Sequence, residues 1–296
     1  ATFLKNRIVK LPEQNREEGI ISGTKKFVEG GDRYAYFLYH WAGVDQMTGQ
    51  SLYTFDDENW YITDDNTADG NVLYGTAPVL DENGDVVGGG SLMSAANYVI
   101  IGGTPYVYLP GTYGKRDWCG TATPTVYGSF GFNLGWGGFS LGTIFTYSLG
   151  SKVYDSLYGG LSYLTQSPSS VHHDTYELAW NGVPTGMSET SSDRIDSSIF
   201  PMLNGVLSSQ NNAASDRWLV SGNYLVLKNV NLSYSLPKRF VNRLEMDGVN
   251  FIVSCENAFT LTARQGMNAQ QSFSGTVDTN TYTTARVFTA GLTFKF

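Results

Sequence analysis

The segment from Arg286 to Phe296 alternates with a period of two. Phe288, Ala290, Leu292, Phe294 and Phe296 take the even positions, and Val287, Thr289, Gly291, Thr293 and Lys295 the odd ones. In a strand, such a period sends the two sets to opposite faces of a sheet. An apolar face backed by a small, polar one suits a membrane barrel, whose outside meets hydrocarbon and whose inside is wet. This segment therefore predicts β structure and sets the terms for the residues before it.

Upstream stretches repeat the pattern. Val126, Gly128, Phe130, Phe132 and Leu134 share one face of a strand that turns at Gly135-Trp136-Gly137-Gly138. The returning arm places Phe139, Leu141, Thr143, Phe145, Tyr147 and Leu149 against Ser140, Gly142, Thr146 and Ser148. Further strands are predicted over 224–236 and 249–257, with Val230, Leu232, Tyr234, Val249, Phe251, Val253 and Cys255 on apolar faces. Their other faces carry Asn229, Asn231, Ser233, Asn250, Ser254 and Glu256, each of which would need a partner in a dry core. A wet lumen removes that need. Tyr34 to Trp41 is strand-like, whereas 59–75, 88–120 and 166–215 read as long loops. About eight strands reach membrane-crossing length.

The composition agrees with a β protein without deciding between barrel and sandwich. Of 296 residues, 14% are aromatic and only 16% charged, with 34 glycines and 19 tyrosines. A net charge of −8 argues against nucleic acid, which requires a basic stripe. Acidic runs such as Asp56-Asp57-Glu58 and Asp64-Asp65 read as solvated loops. Asp81 to Asp85 lacks the position-six glycine and the terminal glutamate of a calcium loop, and Asn83-Gly84 reads instead as a type I′ hairpin turn. No apolar run is long enough for a transmembrane helix, and the first residues read as a strand already under way rather than a signal peptide.

One enzyme signature needs weighing. Gly138-Phe139-Ser140-Leu141-Gly142 matches G-x-S-x-G, with Asp155 and His172-His173 downstream. A nucleophile elbow needs strand, sharp turn and helix, but Ser140 opens an alternating strand. His172, His173 and Asp174 lack further ligands at metal spacing, and Cys119 (in a loop) and Cys255 (in a strand) do not share one either. No catalytic, cofactor-binding or metal-binding residue is predicted, and the chain is not expected to be an enzyme. Aromatic residues in the predicted loops are the remaining candidates for ligand or partner contacts, chiefly Trp60, Tyr113, Trp118 and Trp180, with Tyr61, Tyr106, Tyr108 and Trp218 beside them. Such rings stack on sugars or pack on a protein partner, and equally they pin loops together.

Several segments carry a family resemblance. Ser215-Asp216-Arg217-Trp218-Leu219, followed by Tyr224 to Lys238, resembles the pattern SDR(F/W)L…YLRLKNLTLGYTLPK of the SusC/RagA family. Trp41-Ala42-Gly43-Val44-Asp45 with Thr48-Gly49 resembles (Y/W)AGVDPxTG, with Gln46 in place of the usual proline. Thr123 to Gly128 with Gly138 to Leu141 resembles PKxYGG…GFDLS, Glu256 to Thr260 resembles ENLFT, and the final strand resembles RTFTLGLNxxF. Those proteins are TonB-dependent outer-membrane transporters of Bacteroidota.

The resemblance implies an all-β fold over residues 1–296. This would be the C-terminal segment of a transmembrane antiparallel β-barrel of about 22 strands, plugged and bearing long extracellular loops. The plug domain and TonB box are expected to lie outside this chain. It further implies import of oligosaccharides or peptides, location in the cell outer membrane, and contact with the lipid bilayer. A SusD-like surface lipoprotein and TonB are the implied protein partners. Phe288, Leu292, Phe294 and Phe296 would form an outer-membrane assembly signal. The alternatives are a non-transport outer-membrane barrel, such as an adhesin or secretion component, and a soluble carbohydrate-binding β-sandwich. The substrate and the residues that bind it are not legible.

Overall fold

The computed structural model describes residues 1–63, 72–164, 170–263, 268, 270, 275 and 284–296. Its dominant element is a six-stranded antiparallel sheet of strands Thr2–Phe3, Val126–Trp136, Phe139–Leu149, Tyr224–Ser235, Gly248–Thr262 and Val287–Lys295, hydrogen-bonded in that order. The two-residue connection Gly137-Gly138 has positive φ at both positions, the conformation a tight hairpin demands and glycine supplies without strain. The predicted hairpin is therefore present, with a tighter turn than expected.

Cross-strand register fixes the faces. Phe130 pairs with Phe145, Leu141 with Leu232, Leu232 with Val253, and Cys255 with Phe288. These residues share one apolar face, and the Phe130 and Phe145 rings stack 4.9 Å apart. Such a pair adds about 0.5–1.5 kcal/mol beyond its area. Asn133, Gly142, Asn231 and Ser254 form a row on the opposite face. One irregularity interrupts the sheet: Lys228 lies opposite Asn257 and Ala258 between the Asn229–Glu256 and Leu227–Phe259 pairs. Asn257 takes a left-handed φ of 50° there, which asparagine tolerates better than most residues. This bulge returns Leu225 and Leu227 to the apolar face despite their odd positions.

Much of the remaining described chain folds into smaller sheets around its own cores. Ile20–Ser22, Lys25–Phe27, Ala35–Tyr39 and Arg116–Thr121 form one. Tyr98–Ile101, Thr104–Val107, Ser51–Thr54, Trp41–Asp45 and Ile195–Asp196 form another. Tyr39, Tyr53, Phe55, Ile62, Met93 and Val107 are buried together, as are Tyr36, Leu38, Cys119 and Ala122. Each fully buried large apolar side chain contributes about 1.5–3 kcal/mol. Much of 59–75 and 88–120, expected as loop, is thus strand, and Cys119 lies in a strand. Asp64 and Asp65 lie outside the described residues. At 81–85, only Gly84 has positive φ, and the Asp81 carboxylate accepts from the backbone N–H of Asn83 and Asp85, so the turn is an Asp-capped loop rather than type I′.

The closed barrel is not what this chain forms. Thr2–Phe3 and Val287–Lys295 lie at opposite ends of the strand order and do not pair, leaving the sheet open. Five of its strands run 9 to 15 residues, where about eight long ones were expected, and the strands described within 20–121 are short and pack on cores of their own. An open edge leaves N–H and C=O groups unpaired, at several kcal/mol each in hydrocarbon, so the sheet as it stands is no membrane-spanning wall. The transmembrane fold class fails on that point. With it fall the outer-membrane location, the lipid-bilayer contact, the import function, and the SusD-like and TonB partners that presuppose a closed wall. Among the described residues no helix is long and apolar enough to cross a membrane, a statement that concerns helices alone.

Candidate functional site

A cleft of about 430 Å³ opens where the small sheets meet. Its walls include His40, Asp57, Tyr74, Pro105, Lys115 and Asp117. Tyr74 is held by its hydroxyl, which donates to the Gly103 carbonyl at 2.6 Å. Lys115 reaches Asp57 at 2.7 Å and Glu58 at 3.0 Å, and the Asp57 hydrogen bond foremost holds its ammonium above the usual lysine range. Apolar rings and charged hydrogen-bonding groups thus face one space, as in most small-molecule sites. A larger hollow of about 820 Å³, lined by Phe130, Tyr147, Leu149, Leu225 and Leu261, lies on the apolar face of the main sheet. It offers few polar groups to orient a ligand.

The segments with the strongest sequence patterning build the frame of this cleft. Asp216 accepts from the Trp41 backbone N–H at 2.9 Å and lies 2.7 Å from His40 Nδ1. Arg217 stacks over the rings of Trp41, Phe200 and Trp218 at 4.2, 4.6 and 4.8 Å. Burial brings its guanidinium down to about 10. Asp45, fully buried, receives both Arg194 Nε at 2.8 Å and Nη2 at 3.1 Å, and the Tyr108 hydroxyl at 3.1 Å. Burial pushes the Asp45 carboxyl up, yet the Arg194 and Met47 hydrogen bonds outweigh it and leave the group below its ordinary range. These motifs are structural clamps.

The aromatic candidates divide. Trp60 and Tyr113 come together edge to face at 4.6 Å, and Trp60 Nε1 donates to the Thr112 carbonyl. Both pack on the buried cluster that includes Phe55, so they back the cleft rather than line it. Trp118 follows the cleft residue Asp117 but turns away to meet Phe37 edge-on at 5.3 Å, and it remains exposed. Trp180 lies elsewhere: its Nε1 donates to the Gln46 carbonyl, and a Cβ at Gly49 would overlap its ring. At the end of the main sheet, Phe288 and Phe296 are 72% and 83% exposed, with Leu292 and Phe294 also uncovered. Ser140 pairs with Gly135 and Ser233 inside the sheet, within the strand Phe139–Leu149 rather than on a turn leading into a helix. His173 lies in the short helix His173–Glu177.

Sequence reasoning missed a cluster. His40, Cys119 and Asp216 bring one nitrogen, one sulfur and one oxygen within 4.8 Å of one another. Cys119 reaches it through a register irregularity between Trp118 and Thr121, a feature that a strand or loop assignment does not reveal. Both cysteines are free thiols.

What the fold and the cleft define is an open-sheet, mainly antiparallel β protein with a lateral, polar-rimmed cleft. No family model matches the chain. Over 92 residues it is 30% identical to TonB-dependent receptor P3 of Formosa agariphila, a match spanning 28% of this chain and 9% of that protein. In fold it is similar to part of the RagAB peptide transporter, with a TM-score of 0.58 at 20% identity, over 98% of this chain and 26% of that one. The 'open-open' state of the RagAB peptide importer gives 0.57 at 19% identity, over 98% and 25%. The chain thus spans about a quarter of those structures and a smaller part of the curated relative. At this identity the likeness is distant and concerns fold alone. It does not carry the assignment of residues 1–296 as the C-terminal portion of a SusC/RagA barrel, which the open sheet contradicts.

Proposed function

We propose that this chain is a non-catalytic, carbohydrate-binding β module that holds a short glycan segment in the cleft between His40 and Asp117. The carrying observation is the cleft's lining: the Tyr74 ring and Pro105 offer apolar walls, and Asp57, Lys115, Asp117 and Thr104 offer donors and acceptors beside them. A pyranose has the same two-sided character, apolar on its ring face and hydroxylated at its edge, and pairs with such a surface. Buried clamps at Asp45–Arg194 and Arg217 hold the walls in place before a ligand arrives, which lowers the entropy cost of binding.

The test is titration calorimetry of the full chain with a panel of neutral and acidic oligosaccharides, alongside short peptides. At least one glycan should bind, and Tyr74→Ala and Asp117→Asn should each weaken it about tenfold, or ~1.4 kcal/mol. Binding of no glycan, or affinity in the two variants unchanged from that of the parent chain, would refute the assignment. Retention of peptides alone would change the ligand class.

A further inference from the structure

We propose that His40, Cys119 and Asp216 form a three-ligand site for a divalent transition cation of the zinc class. The site borders the cleft through His40 but does not rest on glycan binding, since none of its three donors needs a sugar to act. His40 follows the strand Ala35–Tyr39, Cys119 lies in the strand Arg116–Thr121, and Asp216 opens the short helical turn Asp216–Trp218. The pairing of the first two strands sets His40 near Cys119, and a bridge between Tyr39 and Ser215 brings in Asp216 from 176 positions away.

The chemistry of the donor set is selective. One thiolate sulfur, one imidazole nitrogen and one carboxylate oxygen suit zinc, whereas magnesium and calcium take oxygen alone. Tetrahedral coordination at zinc–ligand lengths of about 2.0–2.3 Å sets donors roughly 3.3–3.6 Å apart. The His40–Asp216 separation of 2.7 Å would widen by about 0.6 Å, and the sulfur would close by up to about 1.5 Å, giving up its 3.3 Å contact with the Asp117 carbonyl. Loading forms the sulfur–metal bond as the Cys119 proton passes to solvent, and it requires His40 to present an unprotonated nitrogen. The second carboxylate oxygen of Asp216 already accepts from Trp41 N–H, and the Cys119 carbonyl accepts from Lys152 Nζ at 2.7 Å. Outer contacts of this kind orient ligands.

Access is open. The His40 and Asp216 side chains are 40% and 30% exposed, although Cys119 is buried, and His40 also lines the cleft. Three protein ligands with solvent on one side leave a fourth position for water or an exchangeable group.

The full chain, stripped with a chelator, should take up about one equivalent of zinc in competition with a chromogenic chelator. Cobalt should give a near-ultraviolet thiolate-to-metal band and the visible bands of a tetrahedral site. Cys119→Ser should abolish the near-ultraviolet band and weaken binding at least about tenfold. Cys255→Ser should leave both unchanged. Failure of the unmodified chain to bind zinc, or an unchanged cobalt spectrum in Cys119→Ser, would overturn the proposal. The first outcome needs no variant, so it is decisive even if a substitution disturbs folding.

Discussion

At the scale of single residues, the molecule depends on a few buried charges with complete partners. Asp45 and Arg194 meet bidentately with side-chain exposures of 0% and 8%, and removing one partner strands the other. Asp45→Asn should cost about 3–5 kcal/mol at neutral pH, measured by urea unfolding. The pH dependence follows from the lowered Asp45 carboxyl. A depressed folded-state pKa contributes stability above the unfolded value, near 4, and that contribution fades as pH falls through the folded value. Stability of the parent chain should therefore drop below about pH 4, and the Asn variant should lose less over the same interval. Equal acid sensitivity in the two would show that other carboxylates dominate.

Among elements, legibility tracked strand length. The arms Val126–Trp136 and Phe139–Leu149 each show more than five periods of alternation around a Gly-Gly turn, enough to read register and facing directly. Strands such as Thr104–Val107 or Ser51–Thr54 are four residues long and flanked by packed neighbours, so no period emerges from them. The cleft was illegible for a related reason: His40, Tyr74, Thr104 and Asp117 converge only through pairings between short strands. Cys119 escaped notice because its placement depends on a local irregularity. The Asn257 bulge, in contrast, lies within a segment whose pattern was recognised, although its purpose was not. Asn257→Val should cost about 1–2 kcal/mol because a β-branched residue resists left-handed backbone, while Asn257→Gly should be milder. Thermal unfolding of both variants distinguishes conformational strain from loss of the Lys228 and Ala285 hydrogen bonds, which the two substitutions remove alike.

Over the whole molecule, the main sheet is two-sided, and much of its apolar face is exposed, although Thr143 and Cys255 are buried. Leu232 is 46% exposed, and Phe130, Phe251 and Phe288 are comparably or more exposed on the same face. An apolar surface of this extent is unusual for a chain that stands alone in water. Leu232→Lys should reduce binding of a hydrophobic fluorescent dye, whereas Ser233→Lys, on the opposite face, should leave it unchanged. Equal responses would contradict the facing set by register. The expectation of a closed wall failed at this scale because alternation describes a strand's two faces and says nothing of whether its first and last neighbours meet.

The Tyr36 hydroxyl gathers distant parts of the chain. It donates to the Gly275 carbonyl at 2.7 Å, accepts from the Tyr154 N–H at 3.2 Å, and lies 3.4 Å from the Lys152 carbonyl. Its partners stand 239, 118 and 116 positions away. During synthesis this phenol can meet Lys152 and Tyr154 first, but its shortest bond waits until residue 275 has emerged, so the buried network closes only near the end of the chain. Maturation should be late and concerted, with the slow rate that long-range closure imposes.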